Sequence, residues 1–360
     1  EAGELFLGVP RTLSILLEKV LRRERKVSKL MGAVPGIAGD EVLRSLAFDE
    51  VISSNLIENI HSTRRQIEES LEAPSQENTK ARRFREFARL YLELVDGDSA
   101  LPRTPADIRA IYDRVMDSED LEHVQDGKLF RKDEVLITDG AKVRHTGIVP
   151  ESKIIEAMEA MLRIVQSDEM PSTYSALVSH YIFEYAHPFY DGNGRTGRYL
   201  LSLFLEEALS KPTALSLSRV IAENKIAYYR AFETVENPLN HGEMTFFVET
   251  MLEFILTAQG ELIEKLESAK TRYDLLCKHS SRLQQQNLFS EKEATLIFIL
   301  AQQASFGMFE DMAVSRLASL LSLGVQQTRK YLASLEGQGV VKKTRKRNPL
   351  TFSLSEKFEA

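Results

Sequence analysis

Residues 187–198 read His-Pro-Phe-Tyr-Asp-Gly-Asn-Gly-Arg-Thr-Gly-Arg. Gly192 and Gly194 flank Asn193 just before an apolar helical stretch. Glycines at such a turn let backbone N–H groups converge on one point and form an anion nest. The following helix adds the positive end of its dipole to the same point. Arg195 and Arg198 lie three apart on its first turn and share a face. Together these groups suit a polyphosphate. Asp191 is a carboxylate placed to hold a hard cation such as Mg²⁺, which bridges phosphates. His187 ends the preceding helix, where a neutral imidazole can take a proton from a hydroxyl. The implied chemistry is transfer of part of a nucleotide to a hydroxyl nucleophile.

Two other readings of these residues fail. Gly192 and Gly197 match the spacing of a P-loop, but Arg198 replaces its Lys and Tyr199 its Mg²⁺-binding hydroxyl. A helix also precedes the turn where a P-loop has a strand. His180 and His187 are seven apart on one helix, yet no third ligand has the spacing of a metal site.

The elements that must position the turn are largely helical. Periodicity predicts helices over 11–31, 79–95, 106–116, 151–166, 172–186, 196–209, 215–234 and 242–256. Tyr174, Leu177, Val178, Tyr181, Ile182 and Tyr185 follow the i, i+3, i+4 rule, so 172–186 is expected to be central. Asp40 can cap another helix that ends near Asn59, and Asn tolerates the left-handed conformation of a helix stop. Thr63 and Gln66 form a capping box for the next helix. A connector over 96–105 gives a soft boundary. Over 134–145, Val135, Ile137 and Val143 surround Asp139-Gly140, a strong hairpin signal.

The run His-Pro-Phe-Tyr-Asp-Gly-Asn-Gly-Arg-Thr-Gly-Arg resembles the signature of the Fic/Doc family, H-x-F-x-[DE]-G-N-G-R-x-x-R, with every defined position filled. The resemblance extends over about residues 40–255. It implies a mainly α fold, with a β-hairpin flap beside a helical core, and transfer of AMP from ATP to a Ser, Thr or Tyr hydroxyl of a protein. By similarity, His187 is the general base, Phe189 anchors the loop and Asp191 binds Mg²⁺. Gly192, Asn193 and Gly194 receive the α- and β-phosphates, and Arg195 and Arg198 grip the β- and γ-phosphates. Other members transfer UMP, phosphocholine or a phosphoryl group; the intact Gly-Asn-Gly-Arg favours AMP. The hairpin is then the flap that docks an extended target through Val135, Ile137 and Val143. Ser54-Asn-Leu-Ile-Glu58-Asn59 resembles the family's inhibitory pattern [ST]-x-x-x-E-[GN]. Ser54 and Glu58 are i, i+4, so the hydroxyl can steady the carboxylate. In the family that Glu pairs with the second signature arginine, here Arg198, and competes with the γ-phosphate. Asn224, Tyr228 and Tyr229 resemble a later helix near the nucleotide, with one tyrosine expected to face adenine. Removal of AMP is a second activity of some relatives, and members with such a helix often form homodimers.

The 360 residues carry a net charge of −7, with hydrophobic residues at 43% and charged ones at 28%. That composition excludes a disordered chain and a collagen. It also sets the tail apart. Residues 291–360 carry +3, which leaves −10 on the first 290. The tail resembles a winged helix-turn-helix. Its recognition helix over 325–336 would expose Gln326, Gln327, Arg329 and Lys330, and its wing would hold Lys342, Lys343, Arg345, Lys346 and Arg347. Such a module binds DNA through 325–347 or docks protein. The expected organisation is an N-terminal helical region over 1–100 with the inhibitory helix at about 40–59. A catalytic core follows over 101–257, then a helical connector over 258–288 and the winged helix over 289–360. A DNA-binding regulator that senses ATP without turnover is the alternative. One cysteine, Cys277, cannot bridge internally, and no apolar run spans a membrane. No signal peptide opens the chain, so the expected location is cytoplasmic.

Overall fold

The protein is described from a computed structural model, which covers residues 4–72, 84–117, 119, 125–138, 143–345 and 349–359. Its helices and strands run α1 (Arg11–Gly32), α2 (Gly36–Ile57), α3 (Arg64–Glu72), α4 (Arg85–Asp96) and α5 (Pro105–Val115). Next come β1 (Leu136–Thr138), β2 (Val143–Thr146), α6 (Glu151–Gln166), α7 (Ser172–Ala186) and α8 (Asn193–Ala208). Then follow α9 (Lys211–Ala214), α10 (Leu217–Glu223), α11 (Lys225–Glu236) and α12 (Thr245–Gln285). The tail holds α13 (Glu291–Phe306), β3 (Met312–Ala313), α14 (Val314–Leu320), α15 (Val325–Gly337), β4 (Val341–Arg345), β5 (Thr351–Leu354) and α16 (Glu356–Glu359). Two compact units result, one of Glu1–Ser28 with Leu46–Leu262, the other of Lys29–Ser45 with Ile263–Ala360.

In the first unit α7 packs between α6 and α8. Leu177, Tyr181 and Phe183 of α7 and Leu201 and Leu205 of α8 are all buried. Both helices bury residues around nearly their whole circumference, as helices in the middle of a bundle must. α7 is central, as its periodicity predicts. Antiparallel β1 and β2 form a separate two-stranded ribbon. In the second unit β3, β5 and β4 make an antiparallel sheet in that order. Its core joins Leu296, Leu300, Leu317, Leu332 and Phe352. A Ser290–Glu293 capping box starts α13.

Several boundaries depart from the sequence reading. α2 begins at Gly36, because the Pro35 carbonyl accepts from Ala38 and Gly39 and opens the helix before Asp40. The stretch 215–234 breaks into α10 and α11 at Asn224. Residues 242–256 and the polar connector join in one 41-residue helix, α12, which runs through the single glycine Gly260 and meets no proline. Val135 lies outside β1, although its carbonyl still accepts from Gly147. The start of the helix expected over 79–95, the hairpin tip Asp139-Gly140 with Lys142, and Lys346 and Arg347 of the expected wing lie outside the described residues.

Candidate functional site

The turn between α7 and α8 is built by its own side chains. His187 closes α7 in the left-handed conformation (φ 49°, ψ 61°) and its N–H donates to the Phe183 carbonyl. Gly192, at φ 76°, precedes α8. A side chain there would also collide with Met116 Sδ, so glycine is required twice over. Asn193 folds its amide back over the loop. Oδ1 accepts from the Phe189 N–H at 2.9 Å, and Nδ2 donates to the Phe189 carbonyl at 2.8 Å. This clasp lets α8 start at Asn193, three residues before the start expected from periodicity. Phe189 is fully buried and stacks on Tyr112, with ring centroids 3.6 Å apart. The loop therefore cannot shift without opening the core.

Arg131 holds the other side. It is fully buried; its Nε donates to the His187 carbonyl at 2.8 Å and its Nη2 to the Ala186 carbonyl at 3.2 Å. Both carbonyls belong to the end of α7, where intrahelical donors run out, and the Ala186 carbonyl also accepts from the Ile148 N–H at 3.2 Å. The His187 ring is set by Nδ1, 3.3 Å from the Glu184 carbonyl. A carbonyl can only accept, so Nδ1 carries the proton and Nε2 keeps its lone pair. Burial lowers the imidazole to about 4. It is therefore neutral and able to accept a proton across the physiological range.

Glu58 lies just beyond the last turn of α2. Its Oε1 is 2.7 Å from Arg198 Nη2, an ion pair joining residues 140 positions apart. The guanidinium is 2% exposed and the carboxylate 36%. Burial raises the Glu58 carboxyl, but the charge of Arg198 outweighs it and holds the group below its usual value. Ser54 acts differently from expectation. Its hydroxyl accepts from Arg198 Nε at 2.9 Å, and its carbonyl accepts from Nη2 at 3.0 Å. It therefore aligns the guanidinium and makes no bond to Glu58, because the ε edge of Arg198 lies closest to α2 there. Asn59 ends the helix at φ 58°, the left-handed stop that its residue type suits. Lys225 Nζ reaches the carbonyls of Leu56 and Ile57 at 2.8 and 3.0 Å and ties that end down. The Glu58 carboxylate stands over Gly194, where an added Cβ would lie 2.1 Å from Oε1.

A cavity of about 670 Å³ opens here. His187, Gly194, Arg198 and Glu58 line it, as do Ile137 and His145 of the hairpin and Tyr228 and Tyr229 of α11. Arg195 is turned elsewhere. Its Nη1 pairs with Glu119 at 2.6 Å and its Nη2 lies 3.1 Å from Met116 Sδ. The two arginines thus start on one helical turn and end in different surroundings. Tyr228 is buried, and its hydroxyl is 2.7 Å from His180 Nε2. His180 Nδ1 meets the Gly197 carbonyl, so Nε2 accepts and Tyr228 donates. That hydroxyl is spent inside the fold; Tyr229, 47% exposed, is the tyrosine open to the cavity. Val143 pairs with Thr138 at the backbone.

Asp191 is exposed, and its Oδ1 accepts from the Gly192 N–H at 2.6 Å. Among the described residues no group of three or more His, Cys, Asp or Glu could hold a metal. One carboxylate beside a phosphate nest does fit Mg²⁺, which takes one or two carboxylates and fills its shell from phosphates and water.

Sequence reasoning missed Arg131, Glu119, Lys225 and Glu184. The Glu184 carboxyl lines the cavity and is raised to about 7 by burial, and its Oε1 has no hydrogen-bond partner. A charged residue in a loop or on a helix reads as solvated until its distant partner is known. The one available signal was Glu184 itself, a carboxylate inside an otherwise apolar helix.

Residues 102–205 match the family model described as Fic/DOC family. A relative named protein adenylyltransferase Fic, from Nematostella vectensis, is 27% identical over 171 residues. The match covers 47% of this chain and 35% of that protein, so this chain spans about a third of the relative's length. A solved Fic family protein from Desulfovibrio desulfuricans shares the fold over 94% of this chain and 96% of its own, with a TM-score of 0.56 and 20% identity. A Fic domain containing signaling protein from Bacteroides thetaiotaomicron covers 69% of this chain and 98% of its own, at a TM-score of 0.51 and 14% identity. The mainly α, Fic-type fold is thus shared with both. Among the described residues, no helix is long and apolar enough to cross a membrane.

Proposed function

We propose that this chain transfers AMP from ATP to a Ser, Thr or Tyr hydroxyl of a protein, itself included, and that Glu58 restrains the reaction through Arg198. The observation that carries the reading is the Glu58–Arg198 pair at 2.7 Å, beside His187 in one cavity. The Glu58 carboxylate stands at the start of α8, where a phosphate would otherwise meet the helix N-terminus and a guanidinium fork.

With Glu58 withdrawn, the backbone N–H groups of Gly192–Gly194 receive the α- and β-phosphates, and Arg198 takes the γ-phosphate. Arg195 has to rotate from Glu119 towards the turn to reach the β-phosphate. Asp191 would hold Mg²⁺, which neutralises phosphate charge. The target hydroxyl enters between the hairpin and His187. Nε2 takes its proton as the oxygen attacks the α-phosphorus; the bond to the β-phosphate oxygen breaks and pyrophosphate leaves. Alignment and charge neutralisation supply most of the acceleration. We propose removal of AMP, with the Glu58 carboxylate activating water against the AMP ester, as a second activity of the site.

Intact mass spectrometry after incubation with ATP and Mg²⁺ tests this. Glu58→Gly is expected to gain AMP units, while the wild type and Glu58→Gly/His187→Ala are not. An added phosphate would move the chemistry to phosphoryl transfer, and no adduct even with a panel of candidate target proteins would remove the transferase reading.

A second reading concerns the tail, which we take as a winged helix-turn-helix with α15 as recognition helix. Gln326, Gln327, Arg329 and Lys330 are all exposed along α15 and free of the second unit's core, which favours contact with DNA.

A further inference from the structure

One side chain of the hairpin bonds to both α7 and α11. His145 stands on β2, opposite Ile137 of β1, and both line the cavity. Its Nδ1 lies 2.9 Å from Glu236 Oε2 in the last turn of α11. Its Nε2 lies 2.7 Å from the main-chain carbonyl of Tyr185 in the last turn of α7. The ring also lies against the Tyr185 ring, with centroids 4.9 Å apart. Both polar partners are acceptors. A neutral imidazole offers one N–H and one lone pair, so it can satisfy only one of them.

The geometry points to His145 as a positioning residue: held as an imidazolium between Glu236 and the Tyr185 carbonyl, it clasps the hairpin to the helix that ends in His187. The side chains of His145 and Glu236 are 10% and 20% exposed, so the bond is shielded from competing water. Bonds of this charge-assisted kind are stronger than neutral ones.

The charge also reaches the neighbours. On α7 it faces Glu184 and His187; on α11 it faces Glu236. Glu58, Arg198, Arg230 and Glu233 complete the charged lining of the cavity. Burial is the main cause of the low pKa of His187, and the charge of His145 adds to it. For Glu184 burial dominates upward, and Arg198 and His145 oppose it. The clasp therefore places the hairpin, and its charge adds to the burial that keeps the nearby base neutral.

Loss of one proton should undo it. Without the Nδ1 proton, the Nδ1 lone pair faces the Glu236 carboxylate and the two repel. Glu236→Gln changes that outcome. The amide can donate to a bare Nδ1 while Nε2–H still donates to the Tyr185 carbonyl. The clasp then holds without the extra proton.

As a device for AMP transfer this rests on the reading above, so its first test does not use activity. Full-length protein labelled with ¹⁵N-histidine should show two protected ring N–H protons for His145 at about pH 6, assigned by their loss in His145→Phe. Amide exchange over residues 143–146 should quicken about tenfold or more in His145→Phe, the equivalent of one charge-assisted bond. In the wild type, the same amides should lose protection beyond the intrinsic rate as the pH is raised, and in Glu236→Gln they should not. A single ring N–H at about pH 6, or the same pH profile in wild type and Glu236→Gln, overturns the clasp. AMP transfer in the Glu58→Gly background is followed alongside. An intact clasp without AMP transfer in any variant refutes the transferase reading alone, and AMP transfer with a failed exchange test refutes the clasp alone.

Discussion

The cations of the signature turn and those of the tail strand β4 are basic side chains in opposite settings. Arg198 is buried, and its partner Glu58 comes from 140 residues away. Arg195 is buried, and its partner Glu119 comes from 76 residues away. Lys343 is exposed and pairs with Glu336, seven residues away, while Lys342 pairs with Glu356, fourteen away. A buried cation must find a carboxylate or bear a large desolvation cost. An exposed one is solvated either way, and its ion pair contributes little. Buried pairs in this chain therefore report an arrangement that the fold maintains, and the exposed ones report proximity.

The largest effect expected from breaking this contrast is at Glu119. Glu119→Ala leaves a buried guanidinium with only a thioether neighbour, a change that costs about 3–5 kcal/mol in comparable buried pairs. Chemical denaturation should show the loss as a lower midpoint. A loss below about 1 kcal/mol would mean that water reaches Arg195 and that the pair is in effect a surface one.

Next is Glu58, where the pair is buried on one side and half open on the other. If it holds 99% of molecules unable to place the γ-phosphate, its removal raises transfer about 100-fold, the equivalent of about 2.7 kcal/mol. Initial rates of AMP incorporation in Glu58→Gly and wild type measure this. Rates within about twofold would make Glu58 a structural partner of Arg198 with no share in restraint.

This contrast also decides what could be read from the sequence. The turn at 187–198 was legible as a glycine-rich turn between two helices because its residues are contiguous; the chemistry expected of them stays a proposal. The helices around it were legible from periodicity, including the burial of α7. The start of α8 was not, because glycines ordinarily break a helix, whereas here the Asn193 amide pins the loop and lets helix begin among them. Glu58 was legible only through its resemblance to a known pattern; no local rule links it to Arg198. Arg131, Glu119 and Lys225 were silent for the same reason. Each has partners chosen by tertiary packing, and a single sequence does not record which distant elements meet.

A third test separates burial from pairing. Glu50 of α2 is buried, with both oxygens accepting from the Ser218 N–H, and burial raises its carboxyl to about 7. A raised carboxyl binds its proton more tightly in the folded state than in the unfolded one. Its contribution to stability is full below about 4.5 and is lost as pH rises through about 7. Glu184 adds a slope of the same sign. Glu50→Gln should flatten the fall in stability between those limits by about 2 kcal/mol. Denaturation midpoints at the two ends of that range provide the comparison, and an unchanged slope would place the proton elsewhere.

The smallest effects belong to β4. Lys342→Ala and Lys343→Ala should each change stability by less than about 0.5 kcal/mol, because both pairs are solvent-exposed. The same two variants bear on the tail's role. If β4 meets phosphates, Glu336 and Glu356 compete with DNA for these lysines, and removing the carboxylates should strengthen retention of duplex DNA at low salt. Each phosphate that a lysine variant no longer neutralises should lower the salt slope by about one unit. If the lysines only neutralise their neighbours, all four variants will retard DNA alike, or none will. Binding would then rest on the exposed face of α15, where Arg329→Ala and Lys330→Ala become the variants that matter. No retardation by the wild type at low salt would instead leave the tail a protein-docking module.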